Sequence, residues 1–195
     1  MNKRRFMKRN EGYSLIEMII VMAIVAVLTG AAMVTVSIIH SAKAKEASST
    51  LEDALSELEA NAKGKMCVVS GVQQPDYRFA LAIYKNGTKY YVKKGYYIGN
   101  GAAYDSEGSY VFVDSENVGG GKGTSLSSYV TVKYTDDTGA QRDVTGLTDQ
   151  PVYIVFDRQG MCVHGDGTYD FYRNDSDSLV GTTVLNKNGS HRSNN

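Results

Sequence analysis

Tryptophan is absent from this chain of 195 residues, and proline, cysteine and histidine number only two, two and three. Both prolines, Pro75 and Pro151, lie beyond the first 74 residues, so no proline interrupts a helix there. Two cysteines, Cys67 and Cys162, stand in no Cys-x-x-Cys or other metal-ligand spacing. They are either one disulfide or two buried thiols acting as small apolar side chains. The disulfide would close a loop of about 95 residues, which the chain-entropy model puts at roughly 4–5 kcal/mol. His40, His164 and His191 lie in three separate contexts. No nucleophile–base pattern such as Gly-x-Ser-x-Gly or His-Glu-x-x-His accompanies them. Neither an enzyme nor a cofactor is expected from these residues.

A second scarcity is local. Residues 18–39 contain no charged side chain, and a run of that length is enough to span a bilayer, which needs about 20 residues. An ordinary secretory signal has a shorter apolar part, about 7–15 residues, ending at small residues. Before the run stand Lys3, Arg4, Arg5, Lys8 and Arg9; after it the nearest bases are Lys43 and Lys45. The positive-inside rule places the leader in the cytoplasm and the rest outside. Formal net charge is zero, but residues 1–12 hold five basic and one acidic residue, leaving sixteen basic against twenty acidic. That mildly acidic remainder argues against DNA as a partner.

What is present is Gly12-Tyr13-Ser14-Leu15-Ile16-Glu17, set between the basic leader and the apolar run. Glu17 is a lone carboxylate at the start of a membrane-grade segment, where a charge costs about 2.5–3.5 kcal/mol or more and so reads as functional. This arrangement resembles the type IV pilin and type II secretion pseudopilin family. The resemblance implies cleavage by a prepilin peptidase between Gly12 and Tyr13, N-methylation of Tyr13, and a role for Glu17 in assembly, paired with the N-terminal amine of a neighbouring subunit. The partners it implies are the peptidase/methyltransferase, other pilin or pseudopilin subunits, the cytoplasmic membrane and an assembly machinery. Major pilin, minor pilin, secretion pseudopilin and competence pseudopilin share this N-terminus. A further likeness of Phe156-Asp157-Arg158-Gln159-Gly160 to minor pseudopilin C-terminal domains tilts the reading towards a minor or pseudopilin-like subunit. The alternative from another class is a membrane-anchored extracellular β-domain that binds a ligand or surface and never polymerises.

The helical pattern outlasts the apolar run. Ala47, Leu51, Ala54, Leu55, Leu58 and Ala62 fall at helical spacing among Glu46, Glu52, Asp53, Glu57 and Glu59, with Gly64 as the expected cap. One helix over residues 13–63 is predicted, roughly 75 Å long at 1.5 Å per residue. Its weak point is Thr29-Gly30, since mid-helix glycine costs about 1 kcal/mol. Beyond Gly64 the fourteen tyrosines, the β-branched residues and the glycines indicate strands. Asn86-Gly87 marks one hairpin, and the turn Asp157-Arg158-Gln159-Gly160 marks another. Residues 152–156 form the most apolar strand, expected at the centre of the sheet. Residues 117–128 read as a glycine-rich loop that fails the Walker pattern, because Gly123 follows Lys122 where Ser or Thr is needed.

The fold class expected is α+β, a long N-terminal helix packed on a small antiparallel β-sheet head. Residues 1–12 form the leader, 13–39 the membrane or filament-core helix and 40–64 its amphipathic continuation. Residues 65–185 form the extracellular head and 186–195 a polar, frayed tail. Residues 166–170 and 174–177 offer oxygen ligands of the kind calcium prefers but match no EF-hand, so plain turns are the expectation and no metal site is assigned. Tyr90-Tyr91 and Tyr96-Tyr97 are expected to place one ring of each pair in the core.

Overall fold

A computed structural model of the chain describes residues 13–69, 71–98, 111–114, 123–147, 149–176 and 178–194. Helix α1 runs Leu15–Gly64, and the chain divides into two compact units, Met1–Ile39 and His40–Asn195. In the first unit the helix is apolar on every side, and the membrane-grade stretch has none of its surface buried. Thr29 and Thr35 return their hydroxyls to the carbonyls of Val25 and Ala31, at 2.7 and 3.0 Å. Both polar groups are thereby satisfied within the helix. Gly30 does not interrupt it.

The second unit holds the remainder of α1 and, among the described residues, thirteen strands. Strands β1 (Cys67–Val69) and β2 (Val72–Gln74) form a two-stranded ribbon. The larger sheet contains β3 (Tyr77–Asn86), β4 (Lys89–Ile98), β5 (Val111–Asp114), β6 (Thr124–Ser127), β9 (Val152–Phe156) and β10 (Cys162–His164). Its order is β10-β9-β3-β4-β5, with β6 also paired to β4. The other sheet contains β7 (Val130–Thr135), β8 (Gln141–Asp143), β11 (Gly167–Arg173), β12 (Leu179–Leu185) and β13 (His191–Asn194), in the order β13-β12-β11-β7-β8. Every pairing is antiparallel. The α+β class is as expected, with two sheets and a ribbon where one sheet was foreseen.

The main core joins these layers. The helix contributes Ala44, Ala47, Leu51, Leu55, Leu58 and Ala62, an i, i+3, i+4 stripe. The larger sheet brings Leu81, Ile83, Val92, Ile154 and Phe156, and the other sheet Val130, Val132, Tyr169, Phe171 and Leu185. Fully burying an aliphatic or aromatic side chain of this size contributes about 1.5–3 kcal/mol. Strand β7 alternates one buried residue with one half-exposed residue, the period-two pattern of a sheet covered on one face. Strand β3 is buried continuously from Ala80 to Tyr84. It sits between β9 and β4, and the face away from the main core carries a smaller cluster of Ala80, Tyr97 and Val155.

Several expectations are corrected. Strand β9 lies second from one edge, and β3 takes the centre, because β10 pairs along β9's free side. Tyr96 and Tyr97 are both buried, since β4 is covered on both faces there; Tyr96 meets Phe79 edge-on at 5.4 Å, and Tyr97 belongs to the smaller cluster. Gly64 is the last helical residue and has no positive φ, so it is no left-handed cap; Lys65 N–H still donates to the Asn61 carbonyl at 2.9 Å. Part of the expected glycine-rich loop, residues 117–122, lies outside the described residues, and the rest contains β6, anchored by buried Leu126. The tail expected to fray instead closes a hairpin: residues 186–190 turn, and His191–Asn194 pairs with β12 from Leu185↔His191 to Thr182↔Asn194. Its polar composition conceals a strand held by ladder bonds and contacts to the helix, not by an apolar face.

Candidate functional site at the helix start

The first helical turn is built by a short polar sequence. Leu15 is the first helical residue, Ser14 precedes it as N-cap, and Glu17 is the third residue in. The Glu17 Oε2 accepts the Ser14 backbone N–H at 2.8 Å, and the Met18 N–H donates to the Ser14 carbonyl at 3.2 Å. This is one arm of a capping box, in which a carboxylate three residues past the cap reaches back to satisfy an orphan donor. The carboxylate also lies at the positive end of the helix dipole. The Ser-x-x-Glu spacing is itself the sequence signal for that bond.

Among the described residues, Glu17 has that single hydrogen-bond partner and no ion-pair partner. Its second oxygen is therefore open. Tyr13, immediately before the cap, is 82% exposed, and the apolar residues from Leu15 to Ile39 are exposed along the whole run. Gly12 and the basic residues before it lie outside the described residues. The site thus consists of an open carboxylate, an exposed aromatic residue four positions before it, and an uncovered apolar helix.

The other candidates occupy structural roles. Cys67 and Cys162 are both buried, and neither is joined to a partner cysteine. Burial pushes the Cys162 thiol up to about 12 and the Cys67 thiol up to about 11, the latter opposed by nearby Arg78 and Arg158. Protonated thiols of this kind are poor nucleophiles. His40 stacks on Tyr129 at 4.5 Å and donates from Nδ1 to Asp175 at 3.0 Å. Arg173 grips the same carboxylate with two bonds, at 2.9 and 2.6 Å. These contacts, Arg173 first, hold Asp175 well below the usual carboxylate range. His191 donates from Nδ1 to the Gly189 carbonyl at 3.1 Å, which leaves Nε2 to accept from Ser56 at 2.9 Å.

The oxygen-rich stretches are likewise engaged. Asp170 accepts from Thr182 at 2.9 Å, and Asn174 spans Thr131 and the Ser128 carbonyl at 2.7 and 2.9 Å. Asp177 lies outside the described residues. Among the described residues no three His, Cys, Asp or Glu side chains gather as metal ligands. No sequence signal marks Ser48, a fully buried hydroxyl on the apolar stripe of α1. It meets Thr183 at 3.0 Å and Ser193 at 3.1 Å, tying the helix to β12 and β13.

No curated protein and no solved structure compared with this chain matches it significantly. A family model does match, over residues 7–33, a span that includes Gly12, Tyr13, Glu17 and most of the apolar run. The chain therefore carries the prokaryotic N-terminal methylation motif, the signal motif of type IV pilins and pseudopilins.

Proposed function

We propose that the chain is the precursor of a type IV pilin-like subunit, cut between Gly12 and Tyr13, methylated on the new Tyr13 amine and assembled through its apolar helix. The observation that carries this reading is Glu17, open on one oxygen at the head of an apolar segment with nothing packed on it. Cleavage removes the basic leader and leaves a positive amine on Tyr13, about 6 Å along the helix axis from Glu17 at 1.5 Å per residue. When apolar helices bundle into a filament, the carboxylate is drawn out of water. A buried charge is tolerable only when paired and hydrogen-bonded. The methylated amine of a neighbouring subunit supplies that partner and fixes the register that sliding apolar faces leave open. The globular unit beyond Ile39 stays on the outer side of the cytoplasmic membrane. The prepilin peptidase/methyltransferase, fellow subunits and an assembly machinery are the partners.

The test is intact-mass and N-terminal peptide analysis of the protein from its native membrane. A chain beginning at N-methylated Tyr13 is expected, along with its presence in sheared surface filaments. A chain that retains residues 1–12 with the peptidase present would overturn the reading, and the non-polymerising anchored β-domain would take its place.

A further inference from the structure

We infer that Asn86-Gly87 is a self-modification site, at which the asparagine carboxamide is lost through a cyclic imide, while the Asn188-Gly189 pair in the same head is protected by its fold. The chemistry needs three things: a following residue without a Cβ, a carboxamide free to swing, and a backbone nitrogen free to lose its proton. Both pairs satisfy the first condition, and only one satisfies the others.

At the β3–β4 hairpin, Asn86 pairs with Lys89, so Gly87 and Thr88 form a two-residue turn. Gly87 has φ 64°, the sign that primed hairpin turns require at their first central position. In such a turn the ladder bonds belong to the flanking pair, and among the described residues the Gly87 N–H makes no backbone bond besides them. Asn86, Gly87 and Thr88 are all exposed. The Asn86 carboxamide has no hydrogen-bond partner among the described residues. Lys89 lies directly across the ladder from Asn86, and a positive charge there favours ionisation of a nearby amide.

At the β12–β13 turn every element is restrained. The Asn188 Oδ1 accepts from the Ser190 N–H at 3.0 Å and the Ser190 hydroxyl at 2.7 Å. The Gly189 N–H donates to the Asn186 carbonyl at 2.9 Å. Gly189 itself is buried, packed against the Gly160 carbonyl. To react there, the turn must first open.

The step balances without an oxidant or reductant. The Gly87 nitrogen gives its proton to solvent base and attacks Asn86 Cγ. A nitrogen–carbon bond forms, the Cγ–Nδ2 bond breaks, and the leaving nitrogen takes up a proton to depart as ammonia. Solvent water then opens the five-membered imide. Opening at Cγ gives aspartate with the original backbone; opening at the main-chain carbonyl gives isoaspartate, with the chain rerouted through Cβ. Either product places a carboxylate at the hairpin tip, directly across the ladder from Lys89.

The experiment ages the full-length chain in detergent in mildly alkaline buffer made with heavy-oxygen water, then maps peptides over time. The Asn86 peptide is expected to take up the heavy label as aspartate and isoaspartate roughly tenfold or more faster than the Asn188 peptide, because local opening suppresses the second site. In denaturant the two rates should converge. Asn100-Gly101 lies outside the described residues and is read as a separate peptide. Asn86→Gln, which keeps the hairpin's glycine and disfavours the larger ring, should abolish labelling there. Equal folded rates at the two sites, or faster labelling at Asn188, would overturn the inference.

Discussion

Cys67 and Cys162 show how burial decides chemistry at a single residue. Each is nearly inaccessible, and each thiol is held protonated by the loss of water around it. A thiol reagent should leave both untouched in the folded chain near neutral pH and label both in denaturant without reductant. A denatured chain with no titratable thiol would instead establish a cross-link. The same shift has a sign in pH. The native thiol ionises near 12 for Cys162, against 9.0 unperturbed, so the unfolded chain loses its proton first. The stability this burial contributes is complete below about 9 and drains away as pH rises towards 12. Tyr134 and Tyr169, also raised by burial, act in the same direction. The urea midpoint should therefore fall as buffer pH climbs above about 9, and a flat midpoint across that range would contradict it. Residue-scale legibility was uneven. Glu17 stands out because nothing near it is charged, whereas Ser48, a polar residue on an apolar stripe, reads as a flaw until Thr183 and Ser193 meet it.

Turns are the elements that join the two sheets. Residues 157–160, between β9 and β10, and residues 186–190, between β12 and β13, lie against each other, and the Cys162 N–H donates to the Lys187 carbonyl at 3.0 Å. Gly189 has φ 84°, and a Cβ there would overlap the Gly160 carbonyl oxygen. Gly139, in the turn before β8, has φ 87° with open space around it. The two positions separate backbone strain from crowding. Gly139→Ala should cost about 1–2 kcal/mol, the price of a left-handed alanine. Gly189→Ala adds a clash with backbone that cannot rotate away, and should cost about 3 kcal/mol or more. Urea denaturation at constant m checks both; equal losses would mean that the two turns do not pack as described. The turn sequence Asp157-Arg158-Gln159-Gly160 was readable because Asp157 folds back on its own backbone, accepting from the Gln159 N–H at 2.8 Å, as Asp136 does from the Thr138 N–H at 2.9 Å. The hairpin closing the chain was not, because His191, Arg192, Ser193 and Asn194 carry no apolar alternation. Nor can a pattern local in sequence reveal two turns meeting across sheets.

For the molecule as a whole, the decisive question is whether Glu17 pairs with a neighbouring subunit, as proposed, or serves its own helix alone. In the uncut chain it caps the helix, and a cap contributes about 1 kcal/mol whether or not a filament ever forms. A pairing role in assembly requires something the cap does not, namely a full negative charge. Glu17→Gln separates the two, because glutamine serves in a capping box as glutamate does yet brings no charge to a neighbour's amine. Glu17→Ala removes both. If the carboxylate pairs with the methylated Tyr13 amine of an adjacent subunit, both variants should be cut and methylated like the parent and both should be largely missing from sheared filaments. The buried amine would have lost its counter-charge in each case, a loss of several kcal/mol per contact. If Gln assembles normally while Ala does not, the contribution of Glu17 is helix order alone. The mass of each processed chain, read beside its abundance in filaments, keeps a failure of cleavage from passing as a failure of assembly. Gly12→Val supplies the opposite control, since it should stop processing and leave Glu17 in its capped, unassembled state.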